Sequence, residues 1–459
     1  MPRRKRPGYL NWFMVAGLLF VALCVSEAYG ADMPSNQQLL KEIQELKTII
    51  QQQNDRIENL EQRVSGQQQR IDDHAEVIQK EELQDLSGRM KDELGRLKDL
   101  GGLEIGAGAT FIGQGTPNAN NAAATSGTTV EDSRFDGSVS VDIEIAKTFD
   151  DYGMAFILME YGSGAGLTDE LTLFSNVNYD ATGGANLDVI EVWYEQYLFG
   201  GQLTITGGQL DPTVYIDTNA YANDECTQFL SDIFRNSATI DFPDGNAWGG
   251  RMYIAPEELD FLEVQSLYMD ENADWEEIFD NPFIAAQLNF IPAKAFDYDE
   301  EMWGGNYRVY YWYNGAPHAK VKNSSDFERG NNGFGFSFDQ KITDVYGVFG
   351  RFGWADPELN NLGYDWSVGA QMIGRYWNRE EDVAAVAIGQ AIPGEDYRDV
   401  NEFDKAETHI EAYYAFKVND HLTLSPDVQV IWEPNGGGIA NGKDNDTIFV
   451  YGIRGQIDL

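Results

Sequence analysis

The residues best suited to chemistry recur at alternate positions instead of clustering in a compact motif. Glu191, Trp193 and Glu195 repeat every second residue, as do Glu407, His409 and Glu411, and Glu263, Arg308, Trp312, Arg351, Arg375, Asp427 and Arg454 take the polar positions of similar stretches. Taken singly, each reads as a solvated or wall-bracing charge. As a set they describe a wet surface lined by carboxylates, guanidinium groups and two indole rings. An aromatic ring beside such groups suits a sugar, whose C–H face stacks and whose hydroxyls need partners. Enzymatic chemistry fits poorly, because a hydrolase needs a nucleophile, a base and an orienting group together. The chain has four histidines, and His409 is the strand candidate, with no paired serine motif. His74 reads as a core polar residue of a helical rod, and no metal or cofactor is expected. A formal charge of −43 excludes nucleic acid as a partner.

Residues spaced by two share a face only on a strand. The last thirteen residues, Thr447 to Leu459, show the pattern: Phe449, Tyr451, Ile453, Ile457 and Leu459 on one face, Gly452, Arg454, Gln456 and Asp458 on the other. Comparable segments are 103–112, 135–147, 152–161, 187–198, 201–211, 247–256, 260–269 and 283–291, then 303–313, 332–340, 344–354, 363–376, 383–390, 406–418, 422–432 and 447–459. That makes sixteen, an even number as single-chain bacterial barrels require. The connections alternate short with long. The brief ones are 148–151, 199–200, 257–259, 341–343, 377–382 and 419–421, with 292–302 overlong, and 314–331 reads as a long loop. Short periplasmic turns and long external loops are the asymmetry of an outer-membrane barrel. The expected fold is therefore all-β: a 16-stranded antiparallel transmembrane β-barrel over 103–459, preceded by an α-helical coiled coil. Its partners are outer-membrane lipid and lipopolysaccharide.

Residues 1–30 read as a signal peptide: Arg3 to Arg6 basic, Phe13 to Val25 apolar, and Ala28 and Gly30 small before cleavage at Ala31. The mature chain keeps about 46 excess negative charges and one cysteine, Cys226, so it has no internal disulfide framework. Cys226 reads as a packed small side chain. From Leu39 the apolar period becomes seven, with Ile43, Ile50, Ile57, Val64, Ile71 and Ile78 at one heptad position. Residues 36–100 are thus expected to form a periplasmic coiled coil, one that joins three copies, contacts the cell wall, or both.

From Trp193-Tyr194-Glu195-Gln196 onward the chain resembles the carbohydrate-selective porin (OprB-type) family. The resemblance runs through Gly207-Gly208-Gln209-Leu210-Asp211, Tyr215 to Glu225 and Gln228-Phe229-Leu230, then Tyr346 to Asp356, Leu422 to Gln429 and Gly452-Ile453-Arg454. The family's charged turn is reduced here to Arg379, Glu381 and Asp382. The resemblance implies a water-filled channel for small hydrophilic solutes, sugars foremost. It also implies that the third long loop, 212–246, folds inward and narrows the pore with Tyr215, Asp217, Asn219, Tyr221, Asn223, Asp224, Glu225, Gln228 and Phe229. A short helix is expected near Asp224–Arg235. A channel for cations or siderophores, or a tether from outer membrane to cell wall, are the alternatives. The acidic balance predicts a preference for K⁺ over Cl⁻.

Overall fold

The computed structural model describes residues 101–120, 133–180, 184–438 and 447–459, together with Lys41 and Lys47, both helical. The signal segment 1–30 and, those two lysines apart, the coiled coil 36–100 lie outside the described residues. Alternating side chains build β1 (Leu103–Thr116), β2 (Arg134–Phe149), β3 (Gly153–Ser163), β4 (Asn186–Leu198), β5 (Leu203–Leu210), β6 (Ala247–Ile254), β7 (Leu262–Asp270) and β8 (Pro282–Phe290). The second half gives β9 (Gly305–Lys320), β10 (Asn323–Lys341), β11 (Tyr346–Ala355), β12 (Leu362–Gly374), β13 (Arg379–Pro393), β14 (Glu407–Asn419), β15 (Leu422–Trp432) and β16 (Ile448–Asp458).

Each strand pairs antiparallel with its chain neighbours, and β1 pairs with β16 to close the barrel. The closing ladder runs from Gly108 opposite Asp458 to Gly115 opposite Tyr451. The Leu459 N–H then donates to the Ala107 carbonyl at 2.9 Å. No open edge is left, which is the condition for strands to cross a bilayer.

Burial runs opposite to that of a water-soluble sheet. On β16, Phe449, Tyr451 and Ile453 are 42, 47 and 50 % exposed, whereas Arg454 is 1 % exposed. On β14, Glu407, His409 and Glu411 are fully buried while Phe416 faces outward. The apolar face is therefore the outer one and the polar face the inner one, as a barrel in lipid requires. Exposed aromatics such as Tyr152, Phe199, Phe296, Trp303 and Tyr376 lie at the short-turn end, where an interfacial girdle belongs. Gly208 marks one close approach, opposite Trp193. Its φ is +148°, and a Cβ there would stand 2.2 Å from the Val192 carbonyl oxygen.

Two sequence expectations are corrected and two are given detail. The segment read as loop 314–331 is the continuation of β9 and β10, which pair out to Lys320 opposite Asn323. Its Asn, Ser and charged residues hid the strand, which is bulged at two places. The overlong turn after β8 holds two short helices, Pro292–Ala295 and Glu300–Trp303. Arg375 lies past the end of β12, in a 3-10 turn over Arg375–Trp377, half-exposed and ion-paired with Asp344. The short helix expected near Asp224–Arg235 is present as Asp232–Arg235.

Val386, 52 % exposed near the middle of β13, tests the outward face. Val386→Arg is expected to lower folding stability in phosphatidylcholine vesicles by about 2–4 kcal/mol in a guanidinium titration. An unchanged midpoint would place that face away from lipid.

A lumen divided by an inward loop

Loop 211–246, between β5 and β6, is bonded to the inner wall at many points. Arg351 of β11 donates to the carbonyl oxygens of Phe234 at 2.6 Å, Ala222 at 2.6 Å and Asp217 at 3.0 Å. Its Nε stands 3.0 Å from the Asp217 carboxylate, with both side chains fully buried. Burial pushes Asp217 up to about 7 even with Arg351 alongside. Arg454 of β16 donates to the carbonyls of Glu225 and Gln228, each at 2.7 Å. Glu411 of β14 accepts from the Leu230 and Ser231 N–H groups at 2.6 and 3.0 Å. Asp365 of β12 accepts from the hydroxyls of Ser237 at 2.5 Å and Thr239 at 2.9 Å. These contacts satisfy an irregular backbone that would otherwise sit unpaired inside a barrel.

Apolar packing supports the same attachment. Phe229 meets Phe349 and Tyr413 at ring separations of 5.7 and 5.1 Å. Ile216 packs with Leu267, Phe283 and Trp312. The Tyr221 ring lies over Gly347, where a Cβ would come within 2.3 Å of it. Loop 164–185 joins in. Its Phe174 and Ser175 N–H groups donate to Glu407, each at 2.9 Å, and Gln429 donates to the Val177 carbonyl at 2.9 Å. The two loops are zipped together: the Asn176 N–H donates to Asp232 at 3.0 Å, and the Asp232 N–H to the Asn176 side-chain oxygen at 3.1 Å.

The residues singled out from sequence thus separate into two groups. Arg351, Glu407, Glu411 and Arg454 hold the loops, with Asp427 beside Gln429 at 2.9 Å. His409 is a packed core histidine 3.0 Å from the Ser175 hydroxyl and 3.1 Å from Gln429. Trp312 is fully buried in the apolar cluster and is not open to the lumen. Of the loop residues, Asp217 and Phe229 anchor, Asn219 donates to the Phe338 carbonyl at 2.9 Å, and Asn223, Asp224 and Gln228 bond mainly within the loop. Cys226 is a neutral thiol, raised by burial and by the carboxylates of Asp180, Asp224 and Glu225.

Of the remainder, Tyr215, Glu263 and Arg308 line what stays open. A cavity of about 320 Å³ lies against β6–β9, bordered by Tyr215, Arg251, Tyr253, Glu263, Asn289 and Arg308. The Arg251 guanidinium lies 4.7 Å from the Tyr215 ring centre and 4.8 Å from that of Tyr253. It also meets Glu195 at 3.3 Å and Gln265 at 3.0 Å. Arg308 is held by Asp339 at 2.6 Å, and Glu263 accepts from Asn289 at 2.9 Å. Near it, Trp193 stacks on Phe156 at 5.0 Å and donates to Glu191 at 3.1 Å. A second cavity of about 300 Å³ lies among the loops, bordered by Tyr179, Asp232, Arg235 and Asp241. There Arg235 lies 4.4 Å from the Tyr179 ring centre and is ion-paired with Glu225.

Arg251, Tyr253, Arg235 and Tyr179 were not singled out from sequence. Arg251 and Tyr253 alternate within the predicted segment 247–256 and carried a signal. Arg235 and Tyr179 sit in loops, where no periodicity marks them.

A closed antiparallel barrel with an outward apolar face, a polar interior and a loop docked inside it defines a transmembrane pore of the porin class. Residues 128–459 match the carbohydrate-selective porin, OprB family, and the chain belongs to that family. It is similar to Porin AaxA of Chlamydia abortus, 23 % identical over 255 residues that cover 55 % of this chain and 53 % of that protein. An uncharacterized protein of Aquifex aeolicus is 28 % identical over 187 residues, 40 % of this chain and 52 % of the other. The chain spans about half the length of the curated relatives it matches. Among solved structures, the high-pH structure of Pseudomonas putida OprB shares the fold, with a TM-score of 0.65 at 17 % identity over 80 % of this chain and 96 % of that one.

Arg351→Gln removes the guanidinium that ties three loop carbonyls to β11 and leaves Asp217 buried without its partner. Loop docking is expected to weaken by about 3–5 kcal/mol, and single-channel conductance in planar bilayers should rise. Deleting residues 218–235 should raise it further. Unchanged conductance in both would locate the narrowest point elsewhere.

Proposed function

We propose that the protein is an outer-membrane channel through which small sugars diffuse, with loop 211–246 as its constriction. The observation that carries this reading is the open cavity against β6–β9. It offers Arg251 between two tyrosine rings, with Glu263, Gln265 and Asn289 as further hydrogen-bonding groups. Planar charged and amide groups serve hydroxyls in both directions, and the tyrosine faces serve the apolar side of a pyranose. Membership of the carbohydrate-selective porin family supports the same solute class. No step in such passage needs a catalyst; the wall's diameter, charge and hydrogen bonds decide what crosses.

Residues 1–30 are proposed to direct export, and residues 36–100 to form a periplasmic coiled coil that joins copies or reaches the cell wall. A removable periplasmic segment gives a simple separation of roles. Cutting away residues 31–100 should leave solute passage intact and loosen the envelope if the segment is a tether.

Liposome swelling with a panel of neutral sugars tests the channel itself. The wild-type protein should admit monosaccharides faster than larger oligosaccharides. Arg251→Ala and Tyr253→Ala should change the order of rates among sugars of equal size, by roughly fivefold per lost hydrogen bond of about 1 kcal/mol. Rates that follow solute size alone in wild type and variants would remove the sugar-recognition claim and leave an unselective pore.

A further inference from the structure

Asp142, Glu160 and Asp188 form a row across β2, β3 and β4. Asp142 stands directly opposite Glu160, and Glu160 directly opposite Asp188. The row faces inward, because Ser140, two residues before Asp142, bonds to the inner loop residue Asp180. Like charges directly opposite in an antiparallel pair destabilise it. Among the described residues no Lys or Arg is ion-paired with any of the three carboxylates.

Asp180 supplies an independent observation. The Ser140 hydroxyl donates to its Oδ1 at 2.7 Å. Its Oδ2 has no hydrogen-bond partner, although the residue is only 8 % exposed. Asp180 lies within electrostatic reach of Asp142, Glu160 and Glu225. Burial and these neighbours push it up to about 8, and a positive charge alongside would favour its ionised form. Glu225 is itself engaged by Arg235. The described residues contain no group of three or more acidic, His or Cys side chains close enough to hold a metal ion directly. Carboxylates on neighbouring strands accept hydrogen bonds from the water around an alkali ion or from an ammonium head.

We propose that the Asp142–Glu160–Asp188 row, together with Asp180, is a binding site for monovalent cations in the channel wall, either hydrated alkali ions or the protonated amines of organic solutes. The site lies on the β2–β4 wall, apart from the Arg251 cavity on β6–β9, so the lumen has an acidic lane and a sugar-binding lane. It rests on the channel reading and adds a solute class to it.

Reversal potentials in KCl and in ethylammonium chloride gradients test the site, with the full-length protein in planar bilayers. The wild type should favour cation over Cl⁻. Asp142→Asn, Glu160→Gln and Asp188→Asn combined should lower the cation-to-chloride permeability ratio several-fold, with glucose swelling rates unchanged. A fall in KCl alone identifies an alkali-ion site, and a fall in ethylammonium alone an amine site; either supports the proposal. Asp180→Asn alone should lower the ratio in the same direction and keeps the test open if the triple variant does not fold, which heat-modifiable gel mobility reports. Unchanged ratios in folded variants would overturn the site while leaving the channel intact. A wild-type protein that carries no current would overturn the channel reading as well.

Discussion

The ladder between β1 and β16 is the constraint on which the rest of the structure depends. In a bilayer core there is no water to satisfy a free strand edge, and each unmatched peptide group there is worth several kcal/mol. Closing the ladder removes that penalty for the whole sheet at once. It also fixes the side-chain polarity. With lipid outside and the barrel interior shut off from it, every second residue has to be apolar outward and the remainder have to meet water or one another.

That second condition explains the interior. A polar lining of so many carboxylates and guanidinium groups is stable only when hydrated or bonded. On β10–β16 it is largely bonded, because loops 164–185 and 211–246 bring their peptide groups to Arg351, Asp365, Glu407, Glu411 and Arg454. β2–β9 are also bonded to the loops, as at Ser140 to Asp180 and Gln287 to the Asp217 N–H, but the cavity and the acidic row are found there. The loops therefore cover much of the charged wall with one set of contacts and leave a cavity against β6–β9 open. The aromatic rings follow the same division. Trp312 and Phe229 are consumed by packing, whereas Tyr215 and Tyr253 flank an arginine at the opening.

The strands were legible because a period of two against lipid is not diluted by mixed environments. All sixteen fall where the alternation placed them, and Phe449, Tyr451 and Ile453 face outward as read. The extension of β9 and β10 was missed because beyond the membrane the outward face need not be apolar, so Asn323 to Asn331 look like loop. Arg375 was misplaced for a related reason: parity was carried past Gly374, where the strand ends. The site was only half legible. Parity says which residues point inward, but not which are then covered, and Trp312 and His409 share a face with open residues while lying beneath a loop. Arg235 and Tyr179 gave no signal at all, since loop partners are set by tertiary docking and leave no local pattern.

Neighbouring residues on one strand give the most direct test of this inside-out arrangement. Gln265 borders the cavity, and Val264 beside it is 42 % exposed on the outer face. Single cysteines at the two positions, in a background with Cys226 replaced by Ser, can be reacted with a charged, membrane-impermeant thiol reagent in liposomes. Residue 265 is predicted to react rapidly and residue 264 to remain protected until the bilayer is dissolved. Equal labelling at both, or labelling of 264 alone, would contradict a lipid-embedded barrel around a water-filled lumen.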